Sequence, residues 1–313
     1  MTGRPSAAGP APIPAPIFSP FLALPFALLA ALVPAGQSRA APVEVTDDAG
    51  ARIALPAPAQ RIISLAPDIT ELLYDAGAGG QVVGASDFSD HPAQARELPR
   101  VSRAQAIDLE RIAALHPDLI ITWGSGYPAP AQEALRRLGI PVYVHEPSSL
   151  ESIATTIERL GQLAGSAEAQ ETAAAVRARV VSLRERYGAR APVRVFFQIW
   201  SDPIMTISGR HIISEGLRAC GAVNVFADLG PVAATVSEES VIARDPQFIL
   251  ASAPGGHESG ELQRWRRHPS MQAVAHGRLL PVDSDRIDRA TPRMLESMAR
   301  VCEAIDTVRS AGP

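Results

Sequence analysis

The chain has 313 residues, of which 46% are apolar and 20% are charged, and its formal net charge is −4. This length and composition are typical of a folded protein with more than one hydrophobic core, and they exclude a disordered chain. The basic residues form no block, so the charge pattern excludes the clustered basic face of a nucleic-acid-binding protein.

The first forty residues differ in composition from the rest of the chain. Arg4 is the only charged residue before Arg39, and residues 21–33 form an apolar run of about thirteen residues, too short to span a bilayer as a stable helix. Ser38 and Ala40 provide the small side chains that a signal peptidase requires just before its cleavage site. We therefore predict a signal peptide over residues 1–40 and export to the periplasm. An uncleaved membrane anchor is the alternative.

Beyond residue 41, short apolar runs alternate with helical patterns. Residues 43–47 and 51–55 flank an Asp-Ala-Gly turn, a pattern typical of a β-hairpin. Strand-like and helix-like stretches at this spacing predict βαβ units with mainly parallel sheets. The predicted strands are 62–65, 82–84, 119–121, 142–144, 193–199, 248–250 and 279–282, and the predicted helices lie near 69–77, 108–115, 129–138, 210–219, 261–266 and 292–309.

Residues 149–188 interrupt this alternation. They contain no strand pattern and are rich in Ala, Glu, Arg and Leu, which favours a long helix with a candidate break at Gly165-Ser166. The predicted fold class is therefore α/β, with two Rossmann-like lobes that each contain a mainly parallel sheet. We place the N-terminal lobe at 41–148, the connecting helix at 149–188 and the C-terminal lobe at 189–313, with a binding domain of about 60–313 overall.

An internal repeat supports two similar lobes. Residues 110–120 resemble residues 239–249 at a constant offset, and each copy has a glutamate near a helix start, a short helix, a proline and a strand. Two similar lobes that face one another form a cleft, and the repeat predicts that Glu110 and Glu239 occupy equivalent places on them.

Candidate ligand-binding residues follow the predicted strands. In open α/β sheets, ligands bind beyond the carboxyl ends of the strands. An aromatic ring there can lie flat against a macrocycle, and an arginine can pair with polar groups at the edge of a ligand. Core-filling aromatic side chains and solvated loop charges are the alternatives. The candidates are Pro67, Asp68, Phe88, Trp123, Trp200, Asp285, Arg286, Ile287, Asp288 and Arg289.

The remaining motifs give no support to a metal site or to catalysis. His91, His145 and Asp285 are the residue types that zinc or manganese prefers, but metal binders of this kind of fold usually need three histidines and a carboxylate. We therefore predict no metal and no cofactor. The chain has no Gly-x-Ser-x-Gly, no phosphate-binding Gly-rich loop with lysine and no His-Glu-x-x-His, so we predict that it is not an enzyme. An exported enzyme remains the alternative, and Trp265, among arginines, is expected to pack on a surface helix.

The only cysteines are Cys220 and Cys302. An even count in an oxidising compartment favours a disulfide, and such a bridge is geometrically reasonable if both predicted helices pack on one sheet. Two buried free thiols are the alternative.

Several segments resemble class III periplasmic binding proteins for cobalamin and ferric chelates. The resemblance covers roughly residues 42–309, and the order and spacing of the segments make it specific. It is carried by Arg61–Leu72, by Val83–Ser86 with Asp90-His91-Pro92, and by Asp108–Ile112 with Pro117–Ile120. The cysteine pair, Val236–Val241 and Asp285–Arg293 are most similar to the cobalamin-binding members.

This resemblance implies the substrate-binding component of an ABC importer, a monomer that captures cobalamin or another corrinoid. It implies delivery of the ligand to an inner-membrane permease dimer, and it implies that Glu110 and Glu239 form salt bridges with permease arginines. It also implies a disulfide between Cys220 and Cys302.

The ligand-binding pocket of this family is rich in aromatic residues, and this chain departs from that pattern. Ala104, Ala233 and Arg286 stand where cobalamin binders have tryptophan, and Phe88 stands where a tyrosine is usual. A ferric-siderophore or haem carrier of the same class is therefore the alternative ligand assignment.

Overall fold

The computed structural model describes residues 9–16, 41–103, 106–257 and 260–310. The chain divides into two units, Met1–Ser38 and Arg39–Pro313. In the first unit, residues 9–16 are exposed and form neither helix nor strand. The apolar run and the cleavage site of the predicted signal peptide, and also Ala104, lie outside the described residues. Every helix in the described part of the chain is too short or too polar to cross a membrane.

The N-terminal lobe contains the predicted hairpin and a six-stranded sheet with strand order β6-β5-β4-β3-β7-β8. All neighbouring strands of this sheet are parallel except β5 and β6. The elements are β1 (Val43–Thr46), β2 (Arg52–Leu55), β3 (Ile62–Ser64), α1 (Pro67–Asp75), β4 (Val82–Ser86), β5 (Arg100–Arg103), β6 (Ala106–Ile107), α2 (Leu109–Ala114), β7 (Leu119–Trp123), α3 (Ala129–Arg136) and β8 (Val142–His145).

The segment between the lobes is a helical hairpin, α4 (Leu150–Ala164) and α5 (Glu168–Tyr187), and the prediction of one connecting helix over 149–188 is wrong. The break lies at Gly165-Ser166, the candidate position in the sequence. Gly165 ends α4, because it adopts a left-handed conformation with φ of 72°. The two helices then pack closely, since a Cβ on Gly161 would lie 2.1 Å from Cβ of Ala169. Only α5 leads into the second lobe.

The C-terminal lobe contains a second six-stranded sheet, with strand order β12-β10-β9-β13-β14 and with β11 paired to β9. The pairs β9/β11, β9/β13 and β13/β14 are parallel, and β9/β10 and β10/β12 are antiparallel. The elements are β9 (Val193–Ser201), β10 (Ile204–Ile207), α6 (Ile212–Ala219), β11 (Ala222–Asn224), β12 (Ala233–Thr235), α7 (Glu238–Arg244), β13 (Phe248–Ala253), α8 (Gly260–Gln263), α9 (Gln272–Ala275), β14 (Leu279–Asp283), α10 (Ser284–Ile287) and α11 (Pro292–Ser310).

The apolar runs of the central strands are continuous because both faces of each sheet are buried. On β9, Val195 and Phe197 pack into a core shared with the helices, whereas Phe196 packs into a separate core on the other face. On β13, Leu250 faces the shared core and Ile249 faces the second one. The shared core includes residues of both lobes and of the helical hairpin, so apolar packing joins the three parts.

The internal repeat is present in the structure. Both α2 and α7 begin at a side-chain cap, Asp108 or Ser237, whose oxygen accepts a hydrogen bond from a backbone N–H of the first turn. Ile112 of α2 and Val241 of α7, which the repeat makes equivalent, are fully buried in the outer cores of their lobes. The two helices therefore stand on their sheets in the same way.

The structure confirms the predicted disulfide. Cys220 directly follows α6, Cys302 lies in α11, and their Sγ atoms are 1.97 Å apart. The expectation for Trp265 is wrong, because this residue is fully buried and its Nε1 donates a hydrogen bond to Oε1 of Gln198 at 2.9 Å. Of the predicted helix near 261–266, α8 (Gly260–Gln263) is present, and the short turn Trp265–Arg267 that follows it places the indole against Phe196.

Candidate functional site

Three aromatic side chains stand exposed where strands end. Phe88 follows β4, Trp123 is the last residue of β7, and Trp200 lies at the end of β9. Their exposed fractions are 75%, 42% and 61%, and among the described residues only a handful of large apolar side chains are exposed. The alternative that they fill the lobe cores is therefore wrong. Exposed aromatic rings at strand ends are candidates for contact with a ligand.

Phe88 is held in an unusual backbone conformation. Its φ is +62°, a region that bulky residues rarely adopt and that persists where surrounding contacts enforce it. The next residue, Ser89, is fully buried, and its hydroxyl lies 2.9 Å from Oγ1 of Thr70 and 3.1 Å from Oγ of Ser86. Arg100 donates to the Ser89 carbonyl at 2.9 Å. The buried hydroxyl groups fix the loop and leave the Phe88 ring outside.

The loop that carries Trp123 is fixed by its neighbour strand. Glu146, directly after β8, accepts hydrogen bonds from the backbone N–H of Ser125 at 2.6 Å and from its hydroxyl at 3.0 Å. A Cβ on Gly126 would lie 2.1 Å from the Trp123 ring, so glycine is required at this position for the indole to occupy its place. One face of the indole is therefore backed by the loop while the side chain stays partly open to solvent.

Trp200 belongs to the antiparallel pair β9/β10. Its indole Nε1 donates to the carbonyl of Asp202 at 3.0 Å, within the turn that joins these strands. The hydrogen bond satisfies the polar atom of the ring, so the exposed ring surface is available for apolar contact.

Arg289 joins the two lobes. Its Nη1 lies 2.8 Å from Oε1 of Glu71 and 3.2 Å from Oδ1 of Asp90, and its Nη2 donates to the Phe88 carbonyl at 3.3 Å. Glu71, Phe88 and Asp90 belong to the N-terminal lobe, while Arg289 and its fourth partner, Asp285 at 3.0 Å, follow β14 of the C-terminal lobe. The loops after β4 and β14 therefore meet, and this contact holds the two lobes against one another.

Glu71 is the buried centre of this contact. Its side chain is 1% exposed and accepts hydrogen bonds from Arg289, from Arg293 at 2.9 Å and from the hydroxyl of Thr291 at 3.2 Å. Thr291 and Arg293 lie at the start of α11, where a carboxylate is also favoured by the helix dipole. Sequence reasoning did not select Glu71 as a site residue. The signal available was an acidic residue between Ile69 and Leu72 on a predicted apolar helix.

The other predicted residues of the β14 loop differ in placement. Asp285 is more than half exposed, and Arg286 lies 3.5 Å from Asp283 and 3.4 Å from Glu296. Ile287 is fully buried in the shared core, so its side chain packs inward, and its assignment as a ligand-binding residue stays a prediction. Asp288 has an exposed surface, and its carboxylate accepts a hydrogen bond from the hydroxyl of Ser252.

Pro67 and Asp68 begin α1 at the end of β3, as predicted, and both are half-buried. The Asp68 carboxylate lies 3.4 Å from Nε2 of His145, which is completely buried, so Asp68 takes part in an internal ion pair. Among the described residues, no three His, Cys, Asp or Glu side chains are placed to hold a metal ion.

Glu110 and Glu239 are both exposed in the first turn of their helices. The neighbouring Glu238 is occupied by other partners, since it pairs with Arg264 at 3.7 Å and with His268 at 2.5 Å. Its contacts therefore leave Glu239 as the outward-facing carboxylate of α7.

The sequence and the fold match those of known binding proteins. The sequence profile described as periplasmic binding protein matches residues 62–285, and the chain belongs to this family. It is 41% identical over 253 residues to the vitamin B12-binding protein of Vibrio campbellii, an alignment that covers 80% of this chain and 91% of the relative.

Two solved structures show the same architecture. The periplasmic vitamin B12-binding protein BtuF of Vibrio cholerae has a TM-score of 0.73 and 38% sequence identity, with 80% of this chain and 98% of that chain covered. The periplasmic heme-binding protein RhuT from Roseiflexus sp. RS-1 has a TM-score of 0.69 at 24% identity, with 80% and 98% covered. The second likeness shows the shared fold alone.

Proposed function

We propose that this chain is the periplasmic substrate-binding component of an ABC importer and that it captures cobalamin, or a related corrinoid, between its two lobes. The observation that carries the proposal is the set of exposed aromatic side chains Phe88, Trp123 and Trp200 at strand ends. The proposal gains support from the 38% identity to BtuF over nearly the whole of that structure.

The site is suited to binding a flat, largely uncharged ring system. Phe88 and Trp123 stand on one lobe and Trp200 on the other, so each lobe offers aromatic surface to the proposed ligand. Apolar and stacking contacts of this type contribute about 1 kcal/mol per aromatic pair beyond the burial of area. The role is capture and delivery: a monomer releases the ligand to a permease dimer in the inner membrane.

Titration calorimetry on the mature chain, beginning at Ala41, tests the ligand. We expect tight binding of cyanocobalamin and weak or no binding of haem and of ferric chelates. Tight binding of haem or a ferric chelate, without heat from cyanocobalamin, would assign the protein to the alternative ligand class. Turnover of the bound compound would instead indicate an enzyme.

Single substitutions connect the ligand with the strand-end site. We expect Trp123→Ala, Trp200→Ala and Phe88→Ala each to weaken cyanocobalamin binding by roughly tenfold, because each removes a large apolar contact. Val181→Ala is the matched control, since it removes an exposed apolar side chain from α5, away from the strand ends. Unchanged affinity in all three aromatic variants would contradict the proposed site.

A further inference from the structure

The positive charge of Arg289 is fully engaged within the protein. Both terminal nitrogens of its guanidinium contact carboxylates, and the three carboxylates around it belong to Glu71, Asp90 and Asp285. An arginine with this many partners keeps its donors in a fixed geometry and has few left for a ligand. The groups that remain available to a ligand at this loop are therefore the carboxylates around Arg289 and not its guanidinium.

The three carboxylates differ sharply in exposure. Glu71 is buried beneath Arg289, whereas the side chains of Asp90 and Asp285 are 47% and 55% exposed. Glu71 is also bound to Arg293 and to Thr291 at the start of α11, so its position is fixed by three partners. It holds Arg289 below the surface and leaves the two aspartates beside Phe88 as the accessible charges.

Arg289 carries one positive charge against three carboxylates, so it offsets the charge of Asp90 and Asp285 only in part. Arg286 pairs with Asp283 and Glu296. Burial, assisted by the positive charge of Arg293, lowers the pKa of His91, so its imidazole is neutral at neutral pH. The surface next to Phe88 therefore presents hydrogen-bond acceptors and negative charge.

We propose that Asp90 and Asp285 select a ligand whose edge donates amide N–H groups and reject one whose edge carries a carboxylate, with Glu71 as the positioning residue that withholds Arg289. This inference rests on the proposed function, because it concerns the same ligand site. The physical basis is that an amide donates to a carboxylate, while a second carboxylate at that place meets like charge and a cation that is already paired.

The test compares ligands that differ in one group. Cyanocobalamin is titrated beside each of its monocarboxylic acids, in which one peripheral propionamide has been hydrolysed. The shape is nearly unchanged and one amide becomes a carboxylate. We expect at least one of these acids to bind the natural chain about tenfold more weakly than cyanocobalamin. Equal affinity for all of them would overturn the inference.

Three variants identify the residues responsible. We expect Asp90→Asn and Asp285→Asn to reduce the discrimination to about threefold or less, because each removes one facing charge. Glu71→Gln is expected to shift the affinity ratio further towards the acid, because it releases the charge of Arg289. Glu303→Gln is the control, since it removes one exposed carboxylate of α11 and should leave the ratio unchanged.

The affinity ratio separates specificity from general damage to the fold. A merely structural role lowers the affinity for both ligands equally and leaves the ratio unchanged, so an unchanged ratio in Asp90→Asn and Asp285→Asn would overturn the inference even if Glu71→Gln fails to fold. Failure of the natural chain to bind cyanocobalamin contradicts the proposed function itself, and the inference is then wrong with it. Binding without discrimination contradicts the inference alone.

Discussion

His145 lies with Nδ1 3.2 Å from Oδ2 of Asp48, in the interior of the N-terminal lobe, where both side chains are almost removed from solvent. Its other ring nitrogen faces Asp68. Neither ring nitrogen makes a well-aligned hydrogen bond, so the contacts with the two aspartates are ion pairs. Burial by itself would lower the pKa of His145, but the two carboxylates outweigh burial and raise it to about 9.

This geometry predicts that stability falls at alkaline pH. Since the folded pKa lies above the unfolded value of about 6.5, protonated His145 stabilises the fold fully below pH 6.5, and this contribution is lost as the pH rises towards 9. The loss should be at most about 3 kcal/mol. Urea unfolding from pH 6 to pH 9 measures it, and His145→Gln should flatten the pH dependence. The exposed His276→Gln is the control, and an equal slope in both variants would contradict the role of His145.

Asp75 predicts a second pH effect at the lobe contact. Burial, and then the negative charge of Glu71, raise the pKa of Asp75 to about 7. The unfolded carboxyl ionises near pH 4 and the folded one only near 7, so stability falls between these values. We expect Asp75→Asn to raise the free energy of unfolding by about 1–3 kcal/mol at pH 8 and to have little effect at pH 4. Asp202→Asn, at an exposed turn, should show no such difference.

The disulfide should contribute strongly to stability. Cys220 and Cys302 are 82 residues apart in sequence, and the loop-entropy relation for a ring of this size gives about 4–5 kcal/mol as an upper value. Both cysteines are fully buried, so we expect reductant to act only after the chain unfolds. Mass spectrometry should find the native chain lighter than its reduced form by two hydrogens. A double Cys→Ser variant as stable as the natural chain would contradict the prediction.

Glu110 and Glu239 are predicted to dock the permease. Charges at an interface rim mainly govern association rate and register, so Glu110→Ala with Glu239→Ala should slow permease binding most at low salt and impair transport. Ligand affinity should not change, because both residues lie on the outer helices α2 and α7. A double variant that loses ligand binding, or binds the permease normally, would contradict the assignment.

The control for the docking experiment removes equal charge elsewhere. Glu171→Ala with Glu185→Ala takes two exposed carboxylates from α5, on the helical hairpin. We expect this variant to bind the permease like the natural chain. A similar defect in both double variants would indicate an effect of net charge rather than docking.

Much of the fold and part of the site followed from local patterns. Apolar runs such as 119–121 and 248–250 predicted the central strands, because strands that are buried on both faces leave a continuous apolar run in the sequence. The predicted ends of β4, β7 and β9 then identified Phe88, Trp123 and Trp200 as candidate site residues. The repeat predicted that α2 and α7 stand on their sheets in the same way, since Ile112 and Val241 have the same packing role.

What escaped sequence reasoning depends on partners that are distant in the chain. Arg289 and Glu71 are 218 residues apart, and no local sequence pattern predicts that the charge of Arg289 will pair with that of Glu71. For the same reason the burial of Trp265 against Gln198, the ion pair of Asp68 with His145 and the inward side chain of Ile287 were decided only in the folded structure. The sequence by itself determined which segments form strands and helices, because the apolar runs, helical periods and turn residues that mark them are local in the chain. Tertiary structure alone decided which charges meet, because the free energy of a buried charge depends on the groups that folding brings to it.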